Sequence, residues 1–224
     1  MPATVQDAVV ARAARLSPSA RAVLDAAGVA GPRVEPWLLQ ELTAAESSSI
    51  DECQATCVLR ADPSAFSFRH ELARHPVLKA MTPTRAMSLH RLVLQALLLP
   101  RASGADAARL AHHADGAGDA RAVRHWAPVA ARAAAAPGAH RQATEHLTIA
   151  LKHAETPGER AALLDEYALE AQMSGGQEAA IAAQREAAQL WCVQGDTASA
   201  AVSSARLSLL FVLAARNAEG EKPR

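Results

Sequence analysis

Cysteines and histidines are the side chains of this 224-residue chain best suited to nucleophilic or metal chemistry, and their spacing argues against both. Cys53 and Cys57 lie four apart on one face of a predicted helix, but no further pair of ligands follows at a zinc-site spacing. They are expected to be buried small hydrophobes. His112 and His113 are adjacent, so on a helix they point about 100° apart, whereas histidines four apart would converge on a metal. His75, His90, His125, His140, His146 and His153 are scattered over different predicted helices. No G-x-S-x-G, H-E-x-x-H or paired-carboxylate frame occurs, and no G-x-x-x-x-G-K-[ST] loop to cradle phosphates. The residues point to no enzyme, no metal site and no cofactor in this chain.

The elements that would position any site are helices. Half of the chain is hydrophobic, only 3% is aromatic, and much of the apolar fraction is alanine, which favours closely packed α-hairpins. Acidic and basic residues balance at 23 each, which removes the electrostatic footprint of a nucleic-acid or membrane-surface binder. Three cysteines without a signal peptide suit a reducing cytoplasm. The longest apolar runs, such as Leu207 to Ala215, fall short of the roughly 20 residues that cross a bilayer, so a soluble protein is expected.

Along the chain, Val5 to Leu16 predicts a helix. Ser17-Pro18 caps and starts another, ended by Gly28 and Gly31-Pro32; a third begins at Glu35-Pro36. Ser49-Ile50-Asp51-Glu52 has the spacing of a capping box and opens a fourth, with Ile50, Cys53 and Cys57 on its buried side. Val58 to Arg74 then breaks the helical pattern. Phe66 and Phe68 fall on one face of an extended segment, Ser67 and Arg69 on the other, and Asp62-Pro63-Ser64 supplies the turn of a β-hairpin. Short helices followed by such a wing describe a winged helix. Its would-be recognition helix offers Asp51, Glu52, Gln54 and Thr56 with no Arg or Lys, which argues against direct DNA binding. Pro76 should bend the next helix, and Thr82-Pro83 starts a long connecting one.

Past Gly104, glycine-bearing breaks recur about every 20 residues: Gly118-Asp119, Pro137-Gly138, Pro157-Gly158, Gly175-Gly176 and Gly195-Asp196. Two helices per step of 37 to 40 residues is an α-hairpin repeat slightly longer than a tetratricopeptide unit. Core stripes are expected at Trp126, Ala127 and Ala130; His146, Leu147 and Ala150; Ile181, Ala188 and Trp191; Val202, Ala205, Leu209 and Val212. The organisation expected is mainly α: a winged helix over 1–81, a connecting helix and linker over 82–104, tetratricopeptide-like repeats over 105–216 and a polar tail over 217–224. The last helix is apolar on more than one face, so Leu207, Leu210 and Phe211 are expected to meet a partner or a second copy.

The phrases at Ala11 to Leu39, DECQATCVLR and FSFRHELARHPVL round the wing, Ala108 to Ala135 and Gly138 to Ala154 resemble large LuxR-type ATP-binding transcriptional regulators, within the signal-transducing ATPases. The resemblance implies a nucleotide-binding module before the winged helix and a helix-turn-helix after the repeats, and this chain matches neither part, as a truncated or split member would. It also implies a nucleotide sensor: Arg69-His70-Glu71 resembles the family's Met-His-Asp, whose histidine meets bound ADP, and here it would need a nucleotide-binding module in trans. Pro76 departs from the family's residue. The function expected is a non-catalytic regulatory module that relays a signal or docks a partner: a nucleotide-binding module, another regulator chain or a small-molecule inducer. A stand-alone winged-helix DNA-binding protein and a non-functional truncated gene product are the alternatives.

Overall fold

A computed structural model describes residues 11–220, apart from 44–46, 70 and 103. The start of the helix expected from Val5, His70 and the last four residues of the polar tail lie outside the described residues. By their contacts the residues form two compact units, one running through Ala105 together with Gly116–Asp119, the other made of Asp106–Asp115 and everything from Ala120.

The first unit is built round α1 (Pro18–Ala30). Ser17 caps it, its Oγ accepting from the Ala20 N–H at 3.2 Å. Val23, Leu24, Ala26, Ala27, Gly28 and Val29 are all buried, and a helix apolar round most of its circumference belongs at the centre of a fold. Accordingly α2 (Pro36–Thr43), α3 (Ser47–Ala55), α4 (Glu71–Lys79) and α5 (Pro83–Leu97) all pack on it. The helix expected as a connector, α5, is therefore part of this unit, with Leu89, Val93 and Leu97 buried. Gly28 does not end α1, which continues to Ala30 with Gly31 as its cap. It makes room for α4: a Cβ there would stand 3.3 Å from Val77 Cγ1. Arg74 Nε, also from α4, donates to the Gly28 carbonyl at 2.7 Å.

The expected hairpin is β2 (Leu59–Asp62) and β3 (Ala65–Phe68), antiparallel with Leu59 opposite Phe68 and Asp62 opposite Ala65. A third strand, β1 (Arg33–Val34), pairs with the other edge of β3, giving the order β1-β3-β2. Two residues are too few to display an alternation, so β1 left no pattern to read.

The capping box is a correction. Helix α3 starts at Ser47, Ser49 is buried inside it, and the Glu52 carboxylate turns to α1, accepting from the Ser17 N–H at 2.7 Å and the Ser17 hydroxyl at 2.6 Å. The hydroxyl first and the N–H second hold that carboxyl below its ordinary value. Cys57 is a second correction: α3 ends at Ala55, and Cys57 follows at φ 56°, half-buried, off the face that holds Cys53.

Cys57 N donates to Gln54 O and Val58 N to Cys53 O, the paired bonds of a left-handed helix terminus. The same pair of bonds closes helices at Gly138, Gly175 and Gly195, whose φ values are 88°, 86° and 77°. Among these termini only Cys57 carries a Cβ into that conformation. Cys57→Gly is expected to stabilise the first unit by about 0.5–1 kcal/mol, read from the urea midpoint; an unchanged or lower midpoint contradicts this account.

The second unit contains α6 (Ala107–Gly116) as far as Asp115, α7 (Ala120–Ala135), α8 (His140–Lys152), α9 (Pro157–Met173), α10 (Gln177–Gln194) and α11 (Thr197–Gly220). From α7 onward each helix packs on the next, so the chain folds as successive antiparallel hairpins. Ala127, Ala130, Leu147, Ala150 and Ala188 are buried as expected. The stripe expected for α11 is a correction: Val202, Ala205, Leu209 and Val212 are exposed, and Ala200, Ser203 and Leu210 are buried in their place. Ser203 decides the orientation, because its hydroxyl donates to Asp165 on α9 at 2.6 Å. Among the described residues one helix, Thr197–Ala215, is long and apolar enough to cross a membrane by length and composition, with mean hydropathy 1.6. Alanines lengthen the apolar stretch beyond the run legible at Leu207 to Ala215.

Candidate functional site

Several large apolar side chains are exposed on alternate helices of the second unit. Arg132 on α7 reaches Glu166 on α9 through two bonds, Nη2 to Oε1 at 2.6 Å and Nε to Oε2 at 3.2 Å, and Ser203 on α11 reaches Asp165 on α9. These contacts set α7, α9 and α11 side by side as one row, with α8 and α10 behind. Val129, Leu169, Met173, Val202, Leu209 and Val212, all large and exposed, sit on this row. Leu169 and Met173 are 55% and 60% exposed, which is unusual for apolar side chains in the middle of a helical stack.

Between α7 and α9 the row dips into an open groove of about 280 Å³ lined by Ala131, Ala135, Leu147 and Leu169, with Arg132, Glu166 and Glu170 at its rim. His140 Nδ1 lies 2.7 Å from Glu170 Oε2 and fixes that carboxylate. The hydrogen bond of Glu166 first and its charge second raise the Arg132 guanidinium above its ordinary value. An apolar floor with a small number of fixed polar groups suits binding of a side chain or small ligand.

Beneath the row, one carboxylate joins three helices. Asp165 Oδ1 accepts from Gln184 Nε2 on α10 and from Ser203 on α11, and Oδ2 accepts from Trp191 Nε1 at 2.8 Å. Gln184 and Ser203 are 2% and 0% exposed. No motif marks Asp165; the available signal was polar residues, Gln184 and Ser203, at positions where the helical period calls for apolar ones.

The expected site residues are placed as follows. Leu210 is buried against Ala171 and Ala180 and Leu207 is half-buried, while Val202, Ala205, Leu209 and Val212 on the other side of α11 are exposed. Phe211 is 45% exposed, with the Arg185 guanidinium stacked 5.8 Å from its ring centre. Arg69 lies in the first unit, exposed, its N–H donating to Val58 O at 3.2 Å. It lines a polar hollow with Gln54, Cys57, Leu59, Arg60 and Ala61, while His70 lies outside the described residues. Arg60 is held by Asp62 at 2.8 Å. Burial pushes the Cys53 thiol up to about 12, with the Glu52 charge adding to it, and the thiol donates to Ala20 O. The adjacent His112 and His113 do meet, ring centres 5.1 Å apart and edge to face.

Fold and surface together define a helical-repeat protein headed by a small unit of helices and a three-stranded sheet. No protein-family model matches the chain, and no curated protein matches it. A solved structure from Pyrococcus horikoshii, described as a Signal Transduction ATPase with Numerous Domains (STAND) protein with a tetratricopeptide repeat sensor, is similar to it at 11% identity with a TM-score of 0.44. The likeness covers 88% of this chain and 36% of that one, so the chain spans about a third of that neighbour's length.

Proposed function

We propose that the chain is a non-catalytic interaction module of a LuxR-type signal-transducing regulator, a winged helix followed by tetratricopeptide-like repeats, which docks a protein partner on the row α7–α9–α11. The observation that carries this reading is the exposure of Leu169 and Met173 beside the groove at Arg132 and Glu166. Helix, strand, two helices and a hairpin, in that order, support the winged-helix reading of the first unit. Arg69 and His70, meeting a nucleotide held by a module in trans, belong to the same proposal.

Direct reading of DNA is disfavoured by α3. It carries no Arg or Lys, its Asp51 is exposed, and Glu52 is engaged by Ser17. A photo-crosslinking residue at Leu169, compared in the host cell with one at the exposed Gln189 on α10, tests the reading. A defined protein crosslinked from position 169, not from 189, and lost in Met173→Asp is the expected result. Equal patterns from both positions, or tight, salt-sensitive binding to duplex DNA in a fluorescence anisotropy titration, overturn it.

A further inference from the structure

The polar hollow beside the hairpin brings a thiol and two guanidiniums together. It is open, measures about 480 Å³, and takes its polar lining from Gln54, Cys57, Arg60 and Arg69. Strand alternation explains the arginines. Leu59 and Phe68 are paired and buried, so Arg60 and Ser67 point the other way, and Arg69, two residues past Ser67, projects from that same face. The terminus of α3 explains the thiol. Its paired bonds hold residue 57 at φ 56°, a conformation that the termini at 138, 175 and 195 give to glycine, so a side chain is kept here against a conformational cost. Cys57 is half-buried and loosely held, its thiol donating to the Ala55 carbonyl at 3.8 Å, whereas Cys53 is buried and Cys192 is exposed on α10.

We propose that Cys57 is a modification site for an acidic peptide thiol, the class to which glutathione belongs, held as a mixed disulfide with its carboxylates on Arg60 and Arg69. The inference rests on the first unit alone and not on the functional reading above. A guanidinium is planar and presents paired N–H donors that match a carboxylate. Arg69 is exposed, and among the described residues no acceptor occupies its guanidinium. Arg60 gives Nε and Nη2 to Asp62 Oδ1 at 3.2 and 2.8 Å, which leaves Nη1 for a second acceptor. Asp62 offsets the charge of Arg60, so Arg69 supplies the attraction for an anion. The thiol peptide enters as its own disulfide, which is the oxidant. The Cys57 thiol gives up its proton and its sulfur attacks one sulfur of that disulfide; the S–S bond of the reagent breaks and a new one joins Cys57 to the peptide. The departing sulfur keeps the electron pair and takes up a proton.

Peptide mass spectrometry of the full chain, sampled over time with glutathione disulfide or with its ethyl ester, tests the proposal by giving a rate at each cysteine. The two reagents share the reacting sulfurs and differ in the carboxylates. At Cys57 the acid is expected to react about five-fold faster than the ester, a preference that shrinks as sodium chloride is added. Arg69→Gln, at an exposed position, keeps the circular dichroism and removes most of that preference by slowing the acid, while the ester rate at Cys57 and both rates at Cys192 do not fall. Equal rates for acid and ester at Cys57, a preference indifferent to Arg69→Gln, or a variant that slows both reagents alike overturns the proposal. So does modification of buried Cys53 as fast as Cys57, which would mean that the reaction needs the unit to open.

Discussion

Asp165→Ala is expected to destabilise the helical array by about 4 kcal/mol, the effect of removing a charged acceptor from three donors, two of them on buried side chains. Gln184 and Ser203 would both lose the carboxylate oxygen they share, at the junction of α9, α10 and α11. Urea unfolding followed by far-UV circular dichroism measures the effect. Asp165→Asn separates the charge from the shape. With its amide oxygen in the Oδ1 position it still accepts from Gln184 and Ser203, but its NH₂ then faces the Trp191 N–H, two donors together, at a cost of about 2 kcal/mol. Adding Trp191→Phe should recover part of that loss, a coupling that a double-mutant cycle resolves. A loss below about 1 kcal/mol for Asp165→Ala would show that the carboxylate does not hold the three helices.

Gly28→Leu is expected to cost the first unit about 3 kcal/mol, because α4 crosses α1 where there is no side chain. Val77 Cγ1, Leu78 Cδ2 and the Phe68 ring already stand 3.3, 3.7 and 3.8 Å from the position of a Cβ. A branched side chain must push α4 off and lengthen the bond from Arg74 to the Gly28 carbonyl. Burial draws the Arg74 guanidinium below its ordinary value, so that bond is its compensation and weakening it adds to the loss. Gly28→Ala is the control: the contact at 3.3 Å is with a side-chain methyl, and the gain in helix propensity, up to about 1 kcal/mol, offsets it. Trp37 fluorescence during urea unfolding, in a background with Trp126→Phe and Trp191→Phe, reports this unit. Equal midpoints for the leucine and alanine variants would mean that α4 does not depend on this crossing.

The two predictions also mark where the sequence was legible. Helix starts at Ser17-Pro18 and Thr82-Pro83 could be read because capping is local, and the glycines at 138, 175 and 195 because each terminus needs a positive φ. Gly28 was misread for the same reason: glycine stops helices more often than it seats them, and only the position of α4 shows which role it has. The spacing of Ser49 and Glu52 was read as a local cap, yet Glu52 is bonded to a serine 35 residues away. The orientation of α11 was inverted for a similar cause. Counting apolar residues favours the stripe from Val202 to Val212, but a buried serine with an acceptor waiting on α9 outweighs a few exposed methyl groups. The groove at Arg132 and Glu166 had no signal at all, since its two charges meet across 34 residues.

The order β1-β3-β2 leaves β2 with one backbone edge unpaired. A free edge recruits other strands, and through them aggregates, when it is long, flat and apolar. Here it is four residues long and carries an arginine clasped to an aspartate, Arg60 to Asp62, so an incoming strand would have to bury both charges beside it. The outer edge of β2 is therefore a poor template for an added strand.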